Sequence, residues 1–150
     1  MKLNKDLKEF IELLNSEKVE YLIVGGHCLA FHGAPRFTGD IDLFISVSSA
    51  NAEKLERVLH KFGFESTGLK AQDFQVPNQV IQLGVSPNRI DLLTSIDAVA
   101  FDEGWATRVS ANLDGLPVFL LDKELLIRNK LAAGRLQDRA DVEKLRKSGN

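Results

Sequence analysis

Three aspartates lie in apolar stretches of the sequence, where a lone charge would be costly. Asp40 and Asp42 flank Ile41 at the start of the run DIDLFI, and Asp91 lies within RIDLL. Alternate side chains of a β-strand point to the same face, so Asp40 and Asp42 would project together. At about 4 Å and an effective dielectric constant near 20, two such carboxylates repel each other by roughly 4 kcal/mol. The spacing therefore predicts a compensating positive charge.

A divalent cation is the compensating charge that these residue types favour. Carboxylate oxygens suit Mg²⁺, which keeps several waters and is usually completed by substrate phosphates. If the strand of Asp91 lies beside the strand of Asp42, three carboxylates meet at one patch. Alternatives remain open: an acid can be protonated in a dyad, lie at a strand end, or pair with a neighbouring arginine, as Arg89 would for Asp91.

Gly25 and Gly26 directly follow the apolar run YLIV, which predicts a strand that turns into a short helix. Backbone N–H groups at such a turn, with the positive end of the helix dipole, can bind a phosphate. A glycine pair after a strand is also a common turn, so this feature gains weight only beside the aspartates. Arg36 and Thr38, on the segment that leads to Asp40, are further candidates for phosphate contact.

Composition and motifs limit the classes of protein to consider. The 150 residues are 44% hydrophobic and carry a formal net charge of -2, with a locally basic segment at 122–147. This favours one domain, residues 1–150, without a broad basic surface. No signal peptide or membrane span is predicted, so we expect a cytoplasmic protein. The sequence lacks a P-loop, a dinucleotide-binding fingerprint and a nucleophile elbow, and Cys28 is expected to be an inert buried thiol.

Helical and strand patterns interleave along the chain and predict an α/β (α+β) fold. Strands are predicted at 21–24, 41–47, 80–85, 89–94, 108–113 and 116–121, and helices within 1–18, 27–31, 49–62 and 122–147. The turns at 86–88 and 114–115 are too short for parallel crossovers. A mixed β-sheet with helices packed on it is therefore expected.

The order of these motifs resembles the nucleotidyltransferase superfamily of the polymerase-beta type. The resemblance is carried by GG at 25 and 26, by TGDIDLFI from Thr38 to Ile45, and by the later acid Asp91. The runs PRFTGDIDL, FDEGWATRV and NLDGLPVFLLDKELLIRNKLAAGRLQDRADVEKL are similar to small bacterial nucleotidyltransferases related to the toxin components of AbiE-type toxin–antitoxin systems. The similarity extends over about residues 19–145.

The resemblance implies a minimal nucleotidyltransferase fold and a set of site residues. The residues implied for the triphosphate are Gly25 and Gly26, and those implied for two metal ions, Mg²⁺ or Mn²⁺, are Asp40, Asp42 and Asp91. Lys130 would point toward the phosphates and Asp138 would line the site. The residue pattern alone equally allows a solvated Lys130 and a helix N-cap at Asp138. Larger relatives continue into a helical domain, so the acceptor site would be minimal or completed by a second subunit or a cognate partner protein.

The activity that the resemblance implies is transfer of a nucleoside monophosphate from a nucleoside triphosphate to an acceptor hydroxyl, with release of pyrophosphate. The metal ions would neutralise the triphosphate and lower the pKa of the acceptor, and Asp91 could take the proton. Transfer RNA, protein hydroxyls and small molecules are all compatible acceptors. Two alternatives remain: a non-catalytic module that binds a nucleotide or a partner protein, and a metal-dependent phosphatase or nuclease.

Overall fold

The computed structural model describes residues 3–35, 39–64 and 67–148. Within them the chain forms six strands: β1 (Tyr21–Val24), β2 (Ile41–Ile45), β3 (Val80–Leu83), β4 (Ile90–Leu93), β5 (Val109–Leu113) and β6 (Leu116–Leu120). They form one mixed sheet with the order β3-β4-β2-β1-β6-β5. The predicted α+β fold class with a mixed sheet is confirmed.

Six α-helices accompany the sheet in the described part of the chain. They are α1 (Lys5–Ser16), α2 (Gly25–Phe31), α3 (Ser49–Phe62), α4 (Phe101–Ala106), α5 (Lys123–Ala133) and α6 (Leu136–Lys147). A 3₁₀ turn spans Ala71–Phe74. None of the described helices combines the length and the apolar character that a membrane crossing requires.

The predicted helix ends are largely where the capping residues indicated. The side chains of Asn4, Ser48 and Asp122 each accept a hydrogen bond from the first turn of α1, α3 and α5. Gly63 and Gly134 end α3 and α5 in the left-handed conformation. These local signals set the ends of the long helices.

Helix α4 was not predicted, because its sequence FDEGWA contains a glycine, which weakens helix propensity. A Cβ at Gly104 would lie 2.9 Å from side-chain atoms of Leu22 and of Leu121. The glycine therefore lets this helix pack closely on the sheet, and tertiary contact outweighs the local preference.

The strand pairing brings the two acidic segments together. β2 pairs with β1 in antiparallel and with β4 in parallel orientation, and β3 and β4 form the predicted antiparallel pair. The connection between the parallel strands β2 and β4 includes α3, as a parallel crossover requires. Consequently the Asp42 position of β2 lies opposite the Asp91 position of β4.

The core fills the space between the sheet and its helices. Its largest fully buried side chains include Tyr21, Phe10 and Phe44. Cys28 is buried as predicted, its Sγ lies 3.4 Å from the carbonyl oxygen of Leu121, and burial raises the pKa of its thiol. The thiol is therefore held in its unreactive neutral form.

Candidate active site

The carboxyl groups of Asp42 and Asp91 meet on adjacent strands. The two residues are register partners in the β2–β4 pair, and their carboxyl groups lie close enough to share a hydrogen bond. Asp40, directly before β2, is near enough to act electrostatically on Asp42. The structure therefore brings the three acids to one patch, and their role as metal ligands stays a prediction.

Asp40 ties the start of β2 to the turn between β3 and β4. Its Oδ2 accepts a hydrogen bond from Ser86 Oγ at 2.7 Å, and its Oδ1 accepts one from the backbone N of Arg89 at 2.9 Å. The hydrogen bond from Ser86 is the main cause that lowers the pKa of Asp40. The preceding residue, Gly39, packs so tightly that a Cβ there would lie 2.0 Å from the carbonyl oxygen of Pro87.

The guanidinium of Arg89 contacts two of the three carboxylates. Its Nε lies 2.7 Å from Asp91 Oδ1 and its Nη2 lies 3.1 Å from Asp91 Oδ2, which is a bidentate pair. Its Nη2 also lies 3.6 Å from Asp40 Oδ2. The pairing of Asp91 with Arg89, which the sequence left open, is therefore present.

The electrostatics of Asp42 show that one guanidinium does not balance three acids. Burial, followed by the proximity of Asp91 and then of Asp40, raises the pKa of Asp42 to about 6, and Arg89 lowers it only in part. An acid with a raised pKa is one whose charged form lacks stabilisation. The patch therefore favours an additional cation near Asp42.

The donor chemistry of this patch fits a divalent metal ion, although the ligands are not already arranged around one. The described residues contain no group of three His, Cys, Asp or Glu side chains that could hold a metal ion as they stand. Three carboxylates are nevertheless the hard oxygen donors that Mg²⁺ and Mn²⁺ prefer, and the raised pKa of Asp42 marks a charge that a cation would stabilise.

The glycine pair lies directly against this patch. Gly25 and Gly26 form the start of α2, and Gly25 has a φ of 68°, in the left-handed region that favours glycine. A Cβ on Gly25 would lie only 2.1 Å from Asp42 Oδ2. The backbone thus approaches the carboxylate as closely as it can, and any side chain at position 25 would displace Asp42.

Two predicted phosphate-contacting residues, Arg36 and Thr38, lie outside the residues that the structure describes.

His27 of α2 is buried and hydrogen-bonds to the backbone of Asp40. Burial lowers the pKa of His27, and its Nδ1 has no hydrogen-bond partner among the described residues. These contacts indicate that His27 fixes the backbone at Asp40, directly before β2.

Lys130 and Asp138 belong to a second charged cluster, between α5 and α6. Lys130 Nζ lies 3.4 Å from Asp138 Oδ1 and 3.4 Å from Asp141 Oδ2, and all three residues are buried. Arg135 Nε lies 2.7 Å from Asp138 Oδ2. A solvated Lys130, one of the alternatives from the sequence, is therefore wrong.

Asp138 is not the N-cap of α6, because the helix begins earlier, at Leu136, and Arg135 occupies the cap position. Asp138 instead accepts a hydrogen bond from the backbone N of Arg135 at 3.2 Å. The side-chain hydrogen bond from Arg135 is the main cause that lowers the pKa of Asp138 to about 2. A contact of Lys130 or Asp138 with phosphate stays a prediction.

Sequence reasoning missed four residues of these clusters, among them Arg135, the partner of Asp138. Arg89 appeared there only as a rival explanation for Asp91, although residues two apart on one strand share a face. Asp141 follows Asp138 by three residues and so lies on the same face of α6, which is a usable signal. Ser86 had no such signal, since its contact with Asp40 joins distant parts of the chain.

Solved structures of other proteins resemble this chain in fold. A Thermotoga maritima protein assigned as a nucleotidyltransferase (TM1012) has a TM-score of 0.58 and 17% identity, covering 95% of this chain and 94% of its own. The lincomycin-bound lincosamide antibiotic adenylyltransferase LnuA has a TM-score of 0.56 and 15% identity, covering 97% of both chains. An antigenic nucleotidyltransferase-like protein of Paracoccidioides brasiliensis has a TM-score of 0.55 and 17% identity, covering 95% and 74%.

Sequence comparison assigns the chain to a family. No curated protein matches it. The model of one family matches residues 1–147, nearly the whole chain. The chain therefore belongs to the family described as nucleotidyltransferase of unknown function (DUF6036).

Proposed function

We propose that this protein transfers a nucleoside monophosphate from a nucleoside triphosphate to an acceptor hydroxyl in a reaction that depends on Mg²⁺ or Mn²⁺. The observation that carries the proposal is the register of β2 and β4, which sets Asp42 beside Asp91 with Asp40 adjacent. Membership of a nucleotidyltransferase family supports the same reaction class.

The site residues have separate roles in this proposal. Asp40, Asp42 and Asp91 would hold the metal ions, which supply charge neutralisation for the triphosphate and a lowered pKa for the acceptor hydroxyl. Asp91 could accept the proton of that hydroxyl. Gly25 and Gly26 would offer backbone N–H groups to the triphosphate, and the lack of a side chain at position 25 leaves room for the Asp42 carboxylate beside them. Positioning and charge therefore carry most of the catalysis.

The proposed location, acceptor and partners rest on motif order and on one basic segment of the sequence. We propose a cytoplasmic protein of a toxin–antitoxin system, with transfer RNA or a protein as acceptor and a second copy or a cognate partner as companion. Motif order supports the link to AbiE-type toxins, and the basic segment 122–147 supports a phosphate-rich acceptor. Lys130 and Asp138 would adjoin the triphosphate only if that part of α5 and α6 faces it.

Incubation with each of the four α-labelled nucleoside triphosphates, Mg²⁺ and a cell extract tests the reaction. We expect one labelled acceptor, loss of label transfer on metal chelation, and a loss of about 10²-fold or more in Asp42→Asn. Asp102→Asn, which removes an exposed acid of α4, is the matched control and should keep full activity. Full activity of Asp42→Asn would contradict the metal assignment.

A non-catalytic module that binds a nucleotide or a partner protein is the second candidate. The bidentate Arg89–Asp91 pair favours it, because that contact already satisfies one of the acids. In that case a nucleoside triphosphate with Mg²⁺ would raise the melting temperature, but no label would be transferred to any acceptor. Release of inorganic phosphate or cleaved nucleic acid would instead indicate a phosphatase or nuclease.

A further inference from the structure

Arg89 stands where the acidic patch meets solvent. Its side chain is 30% exposed, whereas the side chain of Asp91, which it contacts with two nitrogens, is 9% exposed. The backbone of Arg89 is fixed separately, because its N–H donates to Asp40 Oδ1 at 2.9 Å and β4 begins at the next residue. The guanidinium can therefore move by side-chain rotation while the strand and Asp40 stay in place.

The contacts of Arg89 compete with a metal ion for the same oxygens. Both carboxylate oxygens of Asp91 accept from the guanidinium, and Asp40 Oδ2 lies 3.6 Å from Nη2. Arginine cannot relieve this competition by losing its proton, since its pKa lies far above neutral pH. It can relieve it only by moving away.

We propose that Arg89 exchanges partners when the site is loaded. Without a divalent cation it neutralises Asp91 and Asp40; with a metal-bound triphosphate it leaves Asp91 and donates to the phosphate oxygens. The inference rests on the proposed function and adds to it a triphosphate-binding residue that also limits metal binding in the absence of nucleotide. The planar fork of arginine suits both partners, because it pairs with carboxylate and with phosphate in the same bidentate way.

This exchange predicts effects of opposite sign on two ligands. Arg89→Gln removes the competing cation, so Mn²⁺ alone should bind roughly tenfold more tightly in calorimetric titration. The same variant should bind a non-hydrolysable nucleoside triphosphate with Mn²⁺ roughly tenfold more weakly, because a phosphate donor is lost. A purely structural Arg89 would weaken both ligands together.

Controls separate this inference from the proposed function. Arg128→Gln removes an arginine that pairs with Glu103 on the surface, and should leave both affinities unchanged. Arg89→Lys keeps the positive charge and serves as a second test if Arg89→Gln fails to fold. It should bind Mn²⁺ as weakly as wild type but lose affinity for the nucleotide. If wild type binds Mn²⁺ and Asp42→Asn does not, the proposed site stands. Unchanged or weaker Mn²⁺ binding in Arg89→Gln then overturns the exchange alone, whereas no Mn²⁺ binding in wild type overturns both.

Discussion

Two charged clusters in this protein contain buried carboxylates, and they differ in how those charges are balanced. In the helical cluster, Asp138 and Asp141 have Lys130 and Arg135 as partners, and the pKa of Asp138 falls to about 2. In the sheet cluster one arginine contacts two of three acids, Asp91 and Asp40, and the pKa of the third, Asp42, rises to about 6.

The difference supports a stabilising role for the helical cluster and the proposed ligand-binding role for the sheet cluster. Balanced charges with good hydrogen bonds hold two helices together, because either charge alone would be costly to bury. An excess of buried negative charge destabilises the protein at neutral pH and can persist when a cation or substrate is its partner. The raised pKa of Asp42 thus adds to the β2–β4 register as an argument for the proposed site.

Removal of Lys130 should produce the largest effect. Lys130→Met keeps the length of the side chain but leaves Asp138 and Asp141 buried without their shared cation. We expect a loss of about 3–5 kcal/mol in the free energy of unfolding, measured by urea denaturation at pH 7. The double variant with Asp141→Asn should recover part of that loss. A loss below about 1 kcal/mol would show that Lys130 does not compensate the buried charges of Asp138 and Asp141.

Local sequence predicts many features of the fold and of the two clusters, but not the contacts between distant parts of the chain. The strands, the helix caps and the energetic cost of placing Asp42 and Asp91 in apolar strands can all be predicted, because each depends on residue types within a few positions of each other. The Lys130–Asp141 contact needs the relative rotation of α5 and α6, which no local pattern sets. The Ser86–Asp40 bond likewise depends on how β3 and β4 join β2.

Neutralisation of Asp42 should have the next largest effect on the free energy of unfolding, and should increase it. Its pKa is raised from 3.8 to about 6 in the folded protein, so its charge costs roughly 3 kcal/mol above pH 6 and nothing below about pH 4. Asp42→Asn should therefore be more stable than wild type at pH 8, with the difference vanishing as pH falls to 4. Thermal melts without metal ions across this range measure it, and a pH-independent difference would refute the electrostatic explanation.

Asp138 should show the opposite pH dependence, with a smaller magnitude. Its folded pKa of about 2 lies below the value of 3.8 expected without its partners, so its charge contributes roughly 2 kcal/mol above pH 4. That contribution is lost as pH falls from about 4 to about 2. Asp138→Asn should lack this part of the acid sensitivity in denaturation curves recorded at pH 2.5 and pH 6. An equal loss in wild type and variant over this range would argue against the low pKa.

The smallest effect on stability is expected for alanine at Gly25, which tests whether the close approach of the backbone there holds Asp42 in place. Gly25 and Gly68 have φ values of 68° and 74°, so an alanine at either position costs about 1 kcal/mol from the left-handed backbone. At Gly68 nothing lies within 4 Å of the added Cβ, whereas at Gly25 the Cβ would meet Asp42 Oδ2 at 2.1 Å. Gly25→Ala should therefore lose Mn²⁺ binding in calorimetry while Gly68→Ala keeps it, and Gly68→Ala measures the part of the lowered melting temperature that comes from the backbone alone. Equal metal affinity in the two variants would mean that Asp42 can rotate away without cost, and that the close approach of Gly25 does not position this carboxylate.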